Sequence, residues 1–169
     1  MTVAFISARA RRTGVALGAV SAGLLALSAC DKPTPIATVT VGTDSVHSEA
    51  ACYDDGKPLK ESVATKCLAD TAGAKVITVA PDDLIHFGVD PAIADNEWSF
   101  FIGDEAVELT ASTDTYRTFP GSSFFPERPG SEAVKSVNLA IVETARKPGK
   151  DLQERSKIGV WHFELKKKS

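Results

Sequence analysis

Ile158-Gly159-Val160-Trp161-His162-Phe163-Glu164-Leu165 alternates large apolar and polar side chains near the end of the chain. Period two is the signature of a strand with one face inward, so Trp161, Phe163 and Leu165 point one way and His162 and Glu164 the other. The same period recurs in Glu97–Ile102, where Trp98, Phe100 and Ile102 share a face, and in 136–143, where Val137, Leu139 and Ile141 do. Shorter extended runs occupy 36–41, 46–53, 75–79, 84–89, 105–109 and 115–119. Turn-forming residues separate them: Gly42 to Ser45, Ala80 to Asp83, Asp90-Pro91, Gly103-Asp104 and Pro120-Gly121. A polar stretch from Ala145 to Lys157 suits a long hairpin connection. About eight strands without a long helical period predict an all-β, immunoglobulin-like antiparallel β-sandwich. A small barrel is the alternative, because period two does not separate the two. Trp98 in a middle strand matches the buried tryptophan of such sandwiches.

The chain has 169 residues, 43% apolar and 24% charged, which is the range of one globular domain rather than a disordered chain. Its formal net charge of −3 argues against a nucleic-acid binder driven by positive charge. Three arginines, Arg9, Arg11 and Arg12, precede an uncharged apolar run from Thr13 to Ala29. A basic segment followed by an apolar one is the pattern of an export signal. The run is shorter than the ~20 residues a membrane-spanning helix needs.

Leu27-Ser28-Ala29-Cys30 closes that run and has the form of a lipobox, the processing signal of bacterial lipoproteins. Small residues at 28 and 29 admit the extended backbone to a peptidase, Leu27 fills an apolar pocket, and Cys30 supplies the thiol for a diacylglycerol thioether. Two acyl chains make a stable anchor. The expected organisation is a lipoprotein signal peptide over 1–29, a lipidated Cys30 with a short spacer over 30–35, and the sandwich domain over 36–169. The expected location is the outer face of the cytoplasmic membrane. Arg11-Arg12 raises twin-arginine export, but Thr13, Gly14 and Val15 do not fit that motif, so the route stays open between it and general secretion. Loss of 1–29 removes three arginines and no acid, taking the net charge from −3 to −6. The lipid, not surface charge, then holds the protein to the membrane. Lys166-Lys167-Lys168 is the one basic run, read as a solvated chain end.

Cys52 and Cys67 form an even pair in an exported chain, which predicts a structural disulfide. The enclosed segment carries the turn residues Asp54-Asp55-Gly56-Lys57-Pro58, and Leu59, Val63 and Cys67 fall at the spacing of a short helix. Both cysteines lie too early for the bridge between sheets found in antibody domains.

The lipobox, Cys52, Cys67, Trp98, the run Asp114-Thr115-Tyr116-Arg117-Thr118-Phe119-Pro120 and Gly159-Val160-Trp161-His162-Phe163 together resemble small actinobacterial lipoproteins carrying an Ig-like domain of unknown function. The resemblance covers nearly the whole mature chain. It implies an extracytoplasmic Ig-like lipoprotein and brings no catalytic residue or cofactor.

Signals for chemistry are weak. His47, His86 and His162 are not at metal-motif spacing, and no C-x-x-C, calcium loop, nucleophile elbow or phosphate loop is present. Asp54-Asp55 and Asp82-Asp83 sit beside Gly or Pro and read as turns. No metal or cofactor is expected. The candidate partner-binding residues are Tyr116, Arg117, Phe119, Phe124, Phe125 and Arg128, aromatics and arginines in a proline-punctuated loop. The competing and favoured reading of Phe119, Phe124 and Phe125 is that they close one end of the core. The expectation is a monomeric, non-catalytic binding or adaptor module contacting an envelope protein or wall polymer. The alternative is a metal-binding protein or enzyme whose histidines and acids converge across strands.

Overall fold

The computed structural model describes residues 33–108, 110–126, 133–147 and 151–168. The expected signal peptide over 1–29, the lipidation site Cys30 and the candidate binding residue Arg128 lie outside the described residues. The elements are β1 (Ala37–Val41), β2 (Asp44–Ser48), β3 (Cys52–Tyr53), α1 (Glu61–Ala69), β4 (Lys75–Val79), β5 (Leu84–Val89), α2 (Pro91–Ala94), β6 (Glu97–Ile102), β7 (Glu105–Ala106), β8 (Tyr116–Pro120), β9 (Ser136–Thr144) and β10 (Lys157–Lys167). One sheet has the order β2-β1-β5-β8, the other β3-β10-β9-β6-β7, with β4 also on β10. This is the all-β sandwich that period two predicts, with ten strands among the described residues rather than about eight.

Two departures have clear physical causes. The run 46–53 is not one strand. β2 pairs with β1 in the first sheet, whereas β3 pairs with β10 in the second, so the chain crosses between layers at Glu49–Ala51. β4 pairs with β10 in parallel, the exception among otherwise antiparallel pairings. It shares the long edge of β10 with β3: β3 meets Gly159 and Val160, and β4 runs beside 163–167. The strand expected over 105–109 is shorter: β7 ends at Ala106, and Leu109 lies outside the described residues.

Between the sheets lies the main core. Ala37, Val39, Val41, Ile85, Phe87 and Val89 face Trp98, Phe100, Val137, Leu139, Ile141, Trp161, Phe163 and Leu165. The inward parity is the one read from the sequence, except at Ile102. That residue is 44% exposed because β6 leaves the sandwich there for the Gly103-Asp104 hairpin turn. Gly159 sits at a register shift in the β9–β10 ladder, and a Cβ there would lie 2.5 Å from the Trp161 ring. The absent side chain is what lets that indole pack across the strand.

The second sheet is buried on its other face as well. Phe101, Ala140, Val142 and Val160 pack with Cys67 and Leu68 of α1 and with Leu152 in the β9–β10 connection. The helix anticipated at 59–68 forms over Glu61–Ala69, but its buried stripe is Ala64, Cys67 and Leu68 while Val63 is exposed. Two bonds set that rotation. Cys67 is disulfide-linked to Cys52, and its carbonyl accepts a hydrogen bond from His162 Nε2 at 2.9 Å. The lysine run is not a loose end either. Lys166 and Lys167 belong to β10, and Lys168 N donates to the carbonyl of Val79.

Because the disulfide closes a 15-residue separation and holds α1 over that face, its loss removes about 3 kcal/mol of stability. Urea unfolding of the Cys52→Ser/Cys67→Ser variant should show this as a lowered midpoint. An unchanged midpoint contradicts it.

Candidate functional site

The residues expected to form an exposed aromatic and arginine loop have different places. Phe124 and Phe125 are buried, and Phe119 is half-buried against the main core. Phe124 packs against Phe87, Phe100 and Phe119, with ring centroids 5.7, 6.3 and 6.2 Å apart. They therefore pack into the core rather than standing in an exposed loop, a correction to the expectation of exposure, and Phe124 also lines a groove on the second sheet. The cause is the short helical turn Gly121–Ser123, which follows Pro120 and directs the two rings inward.

Arg117 is also structural. Its register partner is Phe87, on the inward face of β5. The guanidinium lies 4.7 Å from the Phe119 centroid, 5.6 Å from Phe100 and 5.7 Å from Trp98. Both terminal nitrogens donate to Glu108, with Nη2 to Oε1 at 2.7 Å. A cation over three aromatic faces with a bidentate carboxylate cap is a lid on the core. The Trp98 indole beneath donates to the carbonyl of Asp114 at 2.7 Å. Of the proposed set only Tyr116, 56% exposed, presents its ring to solvent among the described residues.

The histidines do not converge. His86 stands on the outer face of the first sheet, where its Nδ1 hydrogen-bonds the Tyr116 hydroxyl and Thr118 Oγ1 lies at 3.0 Å. His47 shares that sheet but bonds Thr38 at 2.9 Å, two strands from His86. His162 belongs to the other sheet and is buried under α1. The carbonyl of Cys67 is only an acceptor, so Nε2 of His162 carries a proton. Among the described residues no three His, Cys, Asp or Glu side chains stand together as a metal site.

A groove of about 640 Å³ opens on the outer face of the second sheet. α1 gives one wall through Leu68 and Ala69, and the β6–β7 turn gives another through Ile102 and Val107. Ala140 of β9 lines it from the outer face of the sheet, and Val137, Phe124, Pro126 and Val134 line it as well. Ile102 and Val107, which line the β6–β7 wall together, are 44% and 48% exposed. Polar groups are few: Thr71, Ser123, Ser136, Asn138 and His162. An apolar concavity of this volume with a handful of polar groups has the make-up of a small-ligand site.

Glu143, which no sequence motif marks, is the one fully buried carboxyl among the described residues. It continues the inward parity of Val137, Leu139 and Ile141 and lies opposite Trp98. Asn96 Nδ2 donates to Oε1, while Oε2 has no partner. Burial raises its pKa to about 7, and the bond from Asn96 only partly offsets this.

No protein-family model matches the chain, and neither a curated protein nor a solved structure is detectably similar to it.

Two outcomes are expected of this geometry. Phe124→Ala and Phe125→Ala each empty part of the core and lower stability by about 3–5 kcal/mol, read from thermal unfolding. A loss under about 1 kcal/mol would place the rings outside the core. Glu143 has a folded pKa above its unfolded one, so its favourable contribution is complete below about pH 4.5 and is lost as pH rises through about 7. The difference is of order 3 kcal/mol. Glu143→Gln should therefore be more stable than the parent at about pH 8 and flatter between about pH 5 and 8. A pH profile that is unchanged by the substitution contradicts this.

Proposed function

We propose that the protein is an extracytoplasmic lipoprotein, anchored through Cys30, whose domain is a non-catalytic binding module. The groove between α1 and the β6–β7 turn takes the apolar part of an amphiphilic ligand at the cell envelope. The observation that carries the binding reading is the pair of exposed aliphatic residues, Ile102 and Val107, at the rim of an apolar concavity. Asn138 and His162 supply the polar contacts that orient such a ligand. The address rests on Leu27-Ser28-Ala29-Cys30 and the basic and apolar segments before it.

A module of this kind needs rigidity at the wall of the groove rather than a reactive group. α1 is fixed at Cys67 by the disulfide and by His162. Preorganisation of that wall lowers the ordering cost of binding.

Two experiments test the two halves. Cys30→Ala should leave the protein in the soluble fraction or as an unprocessed precursor, and an unchanged membrane fraction of processed protein overturns the anchor. For the groove, the chain from Asp31 onward is titrated with a fluorescent fatty acid. Ile102→Asp and Val107→Asp should each weaken binding at least ~10-fold, since burying a side chain of this size is worth ~1.5–3 kcal/mol. Binding that is absent, or indifferent to both substitutions, overturns the groove assignment.

A further inference from the structure

Thr34, Pro35 and Ile36, at the end of the expected spacer and the start of the domain, are tied down by hydrogen bonds. Thr34 Oγ1 accepts a hydrogen bond from Ala50 N at 3.1 Å, and the carbonyl of Pro35 accepts one from the Trp161 indole at 2.7 Å. Ile36 N donates to Asp90 Oδ2 at 2.7 Å, and Asp90 N returns a bond to the carbonyl of Ile36 at 3.0 Å. The chain is thus fixed to the domain from Thr34 onward. Only four peptide steps separate Thr34 from Cys30, a reach of at most about 14 Å.

That short reach selects one end of the sandwich. The end holding Thr34 also holds the last residue of β5, the start of α2 and the first residue of β8. The opposite end holds the Gly42-Thr43 turn, Leu84, Pro120 and Lys167. Lys167 lies six residues along β10 from Trp161, about 20 Å farther from the anchor. We infer that the Thr34 end of the domain rests on the outer leaflet, with the groove formed by Ile36, Thr38, Gly88, Pro91, Thr115 and Tyr116 in its interfacial layer. The inference rests on the lipid anchor proposed above.

Three features of that end fit a bilayer interface. Tyr116 and Ile36, which line the same groove, are 56% and 37% exposed. Tyrosine is favoured at the headgroup level because its ring is apolar and its hydroxyl polar. Gly88 is the third feature. It lies mid-face between Thr38 and Tyr116, where glycine weakens a strand. Its backbone does not require glycine, and a Cβ there would make only ordinary contacts, 3.9 Å to Thr38 and 4.0 Å to the carbonyl of Thr115. Packing therefore does not explain it. What its missing side chain does is keep a groove of about 420 Å³ open beside the Tyr116 ring. The tether supplies the local concentration, so a weak contact suffices and the unlipidated domain has no need of membrane affinity.

The test uses the full lipidated protein in vesicles of phosphatidylglycerol and phosphatidylethanolamine. The chain has two tyrosines, Tyr53 and Tyr116, so 3-fluorotyrosine labelling gives few resonances. Leu84→Tyr adds a reporter on an exposed residue of the opposite end. A gadolinium-chelating lipid in the outer leaflet should abolish the Tyr116 fluorine signal and spare the Leu84→Tyr reporter. Gly88→Val, which fills the groove, should reduce that difference without changing vesicle flotation. Equal loss at both ends, loss at the Leu84→Tyr reporter alone, or indifference to Gly88→Val overturns the orientation while flotation still reports the anchor. Failure to float overturns the anchor and the orientation with it.

Discussion

The pairing of β9 with β10 is the constraint on which the rest of the molecule depends. These two long strands place Val137, Leu139, Ile141, Trp161, Phe163 and Leu165 toward the first sheet. The same strands place Ala140, Val142 and Val160 toward α1. One ladder therefore serves two cores. β10 also carries both β3 and β4 on its other edge, so the crossover from the first sheet and the parallel strand are each fixed against it. Contacts to α1, to Pro35 and to the outer groove are made from this ladder. His162 holds α1, Trp161 holds Pro35, and Ala140 underlies the outer groove.

Polar chemistry in the interior is sparse and specific. The Arg117–Glu108 pair closes the aromatic core at its edge, where the guanidinium can lie over rings and still reach solvent. Arginine suits that place because its planar cation stacks and forks at once, which lysine does not. Glu143 is the opposite case, a carboxyl inside the core with one oxygen unpaired, held at a cost in stability near neutral pH. It lies beside Trp98 and Asn96.

Much of the sandwich is legible in the sequence because period two reports the inward face directly, as in β5, β6 and β10. Period two says nothing about which strand is the neighbour. For that reason the crossover inside 46–53 and the parallel β4 are not readable from alternation. Other signals are present but subtler. Phe101, Ala140, Val142 and Val160 are apolar at positions of outward parity, which points to a second cover over that sheet. Glu143 has the inward parity of Ile141, which points to a buried carboxyl. Tyr116-Arg117-Thr118-Phe119 has the composition of a binding surface, yet alternation puts Arg117 and Phe119 inward and leaves Tyr116 and Thr118 outside. The groove itself is assembled from α1, the β6–β7 turn and β9, segments far apart in sequence, and no local pattern announces it.

The account of function stands first on the anchor, since the groove, the short spacer and the orientation all acquire their meaning at a membrane surface. The most direct measurement is the intact mass of the protein isolated from the membranes of its own cell. The account predicts a chain beginning at Cys30 and carrying a diacylglyceryl thioether on that cysteine. A chain that begins at another residue, or a Cys30 that is an unmodified thiol, would contradict it.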